Sequence, residues 1–154
     1  MMMEGQPPMM VVGYGNTLRR DDGLGVRVAE AFAELRLPGV EVVIRHQLVP
    51  ELAETVAKAS CVVFVDASSC GGDKPELVRM KPSNSNGVFA HASDPASILA
   101  LAAQLYNGHP EAWSLNMPAH DFGFGEEISP EGMKGLYPAI EYLRRLASAV
   151  TRDG

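Results

Sequence analysis

The chain has 154 residues, a formal net charge of −6 and a pI near 5.2. A length of this order makes one domain, 1–154, that buries roughly 70% of its unfolded surface. The acidic balance excludes a nucleic-acid or anionic-membrane surface, because an acidic protein gains nothing from counterion release at phosphates.

Residues 1–8 are expected to be a flexible start, with neither the basic n-region nor the apolar h-region of a signal peptide. No apolar run approaches the roughly 20 residues of a bilayer span, so a cytoplasmic location is expected. MMVVGY at 9–14 reads as a strand buried on both faces. From Leu24 to Leu35 the apolar spacing turns helical, with Leu24, Val28, Ala31 and Leu35 inward, until Pro38 and Gly39. Val40 to Ile44 is a second strand and Pro50 to Ala59 a helix with Leu52 and Val56 inward. CVVFVD, ending at Asp66, is the most apolar segment and belongs at the centre of the sheet. ELVRM alternates apolar and charged residues, which places it near an edge with one face exposed. Asp94 and Pro95 make an N-cap with proline at the first helical position, and Ile98, Leu101, Ala102 and Leu105 continue inward until Asn107 and Gly108. AWSLNM at 112–117 is a fifth strand. Ser129 and Pro130 open a terminal helix that must break or kink near Pro138. This alternation predicts an α/β three-layer sandwich, a largely parallel, twisted sheet of about five strands with helices on both faces. The two cysteines, Cys61 and Cys70, have no metal-site spacing and read as reduced thiols.

Three candidate ligands stand where the backbone leaves predicted strands: Asp22, Asp66 and His91. In open α/β sheets ligands bind beyond the carboxyl ends of strands where the strand order reverses. If strand one lies between strands two and three, Asp22 and Asp66 face one crevice, and the loop carrying His91 can return over the same rim. Each residue also has a structural reading: Asp21 and Asp22 as carboxylates at a helix start, Asp66 as a turn residue, His91 as a packed side chain. A shared location is what the functional reading alone requires. GYGNTL resembles a dinucleotide fingerprint only weakly, since Leu18 replaces the third glycine and two aspartates stand where a pyrophosphate would approach.

GYGNTLRRDDGLGVRVAE resembles the amino-terminal signature of the hydrogenase maturation proteases, G-x-G-N-x-L-x-x-D-[DE]-G-x-G, and the likeness continues to FGFGEEISPEG. It implies an endopeptidase that removes a carboxy-terminal extension from the large-subunit precursor of a nickel-iron hydrogenase after nickel insertion. Asp22, Asp66 and His91 match the family's metal-contacting and catalytic positions. The nickel would come with the substrate precursor, with no tightly bound cofactor, and a monomer is expected. Asn16 in the signature, with His46 and Gln47 of RHQLVPELAE, are the candidate substrate-binding residues; His46 has a capping or core reading too. Many family members carry glutamate where this chain has Asp22, and an Asp-Gly-Gly-Thr type of segment where it has RHQLVPELAE. A non-catalytic module that checks the precursor for nickel is therefore the alternative function. Leu48, Val49, Phe122 and Phe124 could face a partner, with packing against the sheet the preferred reading for at least half of them.

Overall fold

The computed structural model describes residues 7–69, 72–82 and 94–152. Among these, five strands form one sheet: β1 (Met9–Tyr14), β2 (Val40–Arg45), β3 (Cys61–Ser68), β4 (Glu76–Arg79) and β5 (Glu111–Pro118), in the order β2-β1-β3-β5-β4. The first four in that order run parallel, and β4 is antiparallel to β5 at the edge. As expected of an edge strand with an open face, β4 leaves Val78 exposed, while Arg79 lies 5.5 Å from the Trp113 ring centre.

Alternate residues of the central strands feed two separate cores. Met10, Val12, Val62 and Phe64 pack under α2 (Leu52–Lys58) and α3 (Pro95–Tyr106). Met9, Val11, Val63 and Val65 face the opposite way, toward α1 (Leu24–Ala33) and α5 (Leu136–Arg152). Burial on both faces explains why β1 and β3 read as unbroken apolar runs.

The helix ends follow local chemistry. Asp94 caps α3 by accepting the Ser97 N–H at 2.8 Å, Pro95 starts the helix, and Asn107 ends it in the left-handed conformation. Leu105, expected inward, is 57% exposed on the solvent side of the last turn. Helix α1 is shorter than its apolar spacing predicts: it closes at Ala33, short-range bonds tighten the next turn, and Arg36 takes φ of 49°. Leu35 consequently falls off the buried face. The terminal helix breaks at Lys134–Gly135, between α4 (Pro130–Met133) and α5, not at Pro138. Pro138 lies in the first turn of α5, where a missing N–H costs nothing. The expected flexible start falls mostly outside the described residues, but Pro8 is tied down, its carbonyl accepting the Cys61 N–H at 2.9 Å.

Candidate functional site

The order β2-β1-β3 makes β1 and β3 the point where successive connections depart in opposite directions. The segment between β1 and α1 crosses this point. Gly15 has φ of 143°, a region that favours glycine, and a Cβ there would lie 2.1 Å from the Asp22 carbonyl oxygen. Gly25 lets the first turn of α1 descend onto the two strands, since a Cβ would lie 2.3 Å from the Val65 oxygen and 2.7 Å from the Tyr14 oxygen. Glycines thus bring the acidic turn, a 3-10 segment at Arg20–Gly23, directly over the ends of β1 and β3.

The two adjacent aspartates part company in this turn. Asp21 is fully buried, and its carboxylate accepts from the N–H groups of His120 (2.8 Å), Asp121 (3.1 Å) and Ser129 (2.7 Å) and from the Ser129 hydroxyl (2.6 Å). Burial pushes its pKa up, but these donors outweigh that penalty and hold it below the ordinary carboxylate value. Asp21 is therefore a pin: it ties the signature turn to the loop after β5 and to the cap of α4, where Ser129 Oγ accepts the Gly132 N–H at 3.0 Å. Around it Arg20 and Asp121 form an ion pair of 3.0 Å without good hydrogen-bond alignment at Nε.

Asp22 turns the other way and is half-buried at the rim, with Oδ2 accepting the Asn16 N–H at 3.0 Å. Asp66 stands at the same rim, where its pKa is raised first by burial and also by the Asp22 charge, against the Tyr14 hydroxyl and the Ala67 N–H, which lower it. The structure brings these two expected carboxylates together. His91, the third, lies outside the described residues.

Asn16 shapes its own turn: Oδ1 accepts the Leu18 N–H at 2.9 Å and its carbonyl accepts the Arg19 N–H at 3.1 Å. His46 and Gln47 are exposed just beyond the carboxyl end of β2, whose Arg45 pairs with Tyr14, so they flank the same rim on its β2 side. Of the four apolar residues at issue, Leu48 is buried, Val49 packs on the α2/α3 core, Phe122 is partly covered and Phe124 is 95% exposed.

No family model matches the chain. The hydrogenase expression/formation protein HupD of Thiocapsa roseopersicina is 28% identical over 149 residues, a match spanning 90% of this chain and 67% of that protein. The crystal structure of a [NiFe] hydrogenase maturation protease, HycI of Thermococcus kodakarensis, is 25% identical, with a TM-score of 0.65 over 97% of this chain and 95% of that one. In sequence and in fold the chain is similar to the hydrogenase maturation proteases. The fold is that of the hydrogenase maturating endopeptidase HybD from E. coli as well, with a TM-score of 0.71 at 19% identity over 92% of each chain.

Within this signature Gly15, Asn16, Asp21, Asp22 and Gly25 each have a physical task, whereas Leu18 is 59% exposed and contributes nothing to the core. Sequence reasoning missed Tyr14. It closes β1 beside Asp66, and burial, the Asp66 charge, the hydrogen bond to Asp66 and the Asp94 charge all raise its pKa. The available signal was an aromatic residue with a polar tip at the carboxyl end of an otherwise aliphatic strand.

Proposed function

We propose that this protein is an endopeptidase that removes the carboxy-terminal extension of a nickel-iron hydrogenase large-subunit precursor after nickel insertion. The observation that supports the reading is that Asp22, from the signature turn, and Asp66, near the end of β3, share the rim over the β1/β3 switch point. Nickel is the substrate's own cargo here, and the donor chemistry fits it: divalent nickel accepts carboxylate and imidazole ligands. Asp22, Asp66 and His91 would contact it, leaving positions for the precursor's thiolates and for water. Three such donors alone give modest affinity, so a precursor without nickel would dock poorly, and the metal itself would supply the discrimination between unready and ready substrate.

Hydrolysis breaks the peptide C–N bond as water adds its oxygen to the carbonyl carbon and a proton reaches the departing amine. Asp22 or Asp66 would hold the proton that water gives up, and the two carboxylates would orient the scissile segment. Asn16, His46 and Gln47 would contact the precursor along the rim. A cytoplasmic location and a monomeric enzyme go with this reading. Among the described residues no helix is long and apolar enough to cross a membrane.

The alternative, a non-catalytic module that checks the precursor for nickel, draws on one feature: Asp22 is a short carboxylate already holding the Asn16 N–H. Asp22→Glu would create cleavage in a protein lacking it under that alternative, whereas the peptidase reading has the natural protein already active. For the main reading, Asp66→Ala and His91→Ala should each lower cleavage of nickel-loaded precursor by roughly 100-fold or more, the scale for losing a group that stabilises a reaction's charge. Unchanged cleavage by either folded variant would overturn it.

A further inference from the structure

Tyr14 and Asp66 are neighbours by construction of the sheet. Gly13 pairs with Val65 in the parallel β1/β3 register, so the next residues of the two strands stand side by side. Alternation then fixes their faces: Met10 and Val12 on β1, and Val62 and Phe64 on β3, all enter the α2/α3 core. Tyr14 and Asp66 continue that face, and the Tyr14 ring packs against the same core. The ring is thereby held while its hydroxyl reaches the Asp66 carboxylate. On the strand side, the Ala67 N–H also bonds to that carboxylate. Two donors from two directions leave a carboxylate little rotational freedom, and they come from rigid strand ends instead of loops.

We propose that Tyr14 is a positioning residue for Asp66, locking its carboxylate in the one orientation that presents a free oxygen to the nickel-loaded precursor across from Asp22. The inference rests on the proposed peptidase function, and it assigns to this chain a determinant of substrate docking outside the three expected ligands. The tyrosine hydroxyl touches neither nickel nor peptide; it acts through Asp66. Its removal leaves the ring, the strand and Asp66 in place but frees the carboxylate to rotate.

Tyr14→Phe deletes the hydroxyl alone and keeps the packed ring, so the fold is preserved, with a thermal midpoint within about 2 °C of the natural protein. The nickel-loaded precursor should show KM raised about tenfold with kcat changed less than about twofold, the scale for losing a hydrogen bond to a charged group. The nickel-free precursor, bound weakly by both proteins, should lose no more than about twofold on the same scale. A double-mutant cycle in Kd for nickel-loaded precursor then tests the route: combined with Asp66→Asn, Tyr14→Phe should cost less than about twofold further. Equal losses with and without Asp66→Asn, equal losses for both precursors, or KM unchanged in a natural protein that cleaves would each overturn the positioning role while leaving the peptidase reading intact. A natural protein that neither binds nor cleaves the nickel-loaded precursor would overturn that reading, and the inference with it.

Discussion

Asp21 and Asp22 are consecutive, chemically identical and held on one turn, yet they live in opposite environments. Asp21 is buried and receives four hydrogen bonds from residues about 100 positions away. Asp22 is half-buried at the rim it shares with Asp66, whose pKa is raised first by burial and also by the Asp22 charge. The contrast separates scaffold from chemistry. A carboxylate whose acceptors are filled by fixed donors stabilises the fold and has nothing left to offer a ligand, whereas a carboxylate whose pKa is raised by burial and by a neighbouring charge gains when a cation arrives.

The largest effect that can break this comparison is Asp21→Ala. It orphans the part-buried N–H groups of His120 and Asp121 and the buried N–H and hydroxyl of Ser129 at once and should cost about 3–5 kcal/mol in a urea unfolding curve, out of a total of roughly 5–15 kcal/mol. A loss below about 1 kcal/mol would deny the pin its role. Next comes Gly25→Ala, whose Cβ would press into the Val65 and Tyr14 carbonyl oxygens; a loss of about 1–3 kcal/mol in the same assay is expected from overpacking, with cleavage falling because the turn carrying Asp22 is lifted off the strands.

The pH dependence of stability sharpens the contrast by sign. Asp21 has a folded pKa below its unfolded value, so its stabilisation is full above the ordinary carboxylate pKa of about 3.9 and is lost as pH falls through the lower folded value. Asp66 has a raised folded pKa, so between the ordinary value and its own the folded state binds more protons, and stability falls as pH rises across that window. In metal-free protein, Asp66→Asn should remove this fall and be more stable than the natural protein at neutral pH, measured by thermal unfolding from about pH 4 upward. A variant less stable at neutral pH would show that Asp66 is a structural residue like Asp21. The smallest effect is expected from His46→Ala and Gln47→Ala: stability changes within about 0.5 kcal/mol, as for exposed residues, and a KM for precursor raised only a few-fold.

The sequence made much of the scaffold legible because the relevant physics is local. The Asp94–Pro95 start and the Asn107 stop of α3 are backbone chemistry within one turn, and the apolar runs of β1 and β3 reflect burial on two faces. Leu35 and Leu105 were misplaced because periodicity continues past the point where a helix end rotates or tightens the chain. Pro138 suggested a break that Gly135 and its neighbours supply a turn earlier. At the site, the meeting of Asp22 with Asp66 followed from topology once β1 was set between β2 and β3. The burial of Asp21 did not, since its partners come from the loop after β5 and no local pattern pairs them with it. Tyr14 escaped for a similar reason: its significance depends on a cross-strand register that a strand's own composition does not encode.

The central claim, that this rim processes a nickel-bearing precursor, is met most directly by intact mass. A nickel-loaded large-subunit precursor and its nickel-free counterpart are incubated side by side with the protein and weighed before and after. Loss of a carboxy-terminal peptide from the loaded form alone is the predicted result. No change in a precursor known to be competent for cleavage, or equal loss from both forms, would contradict the account, the first denying the peptidase and the second denying nickel its part in recognition.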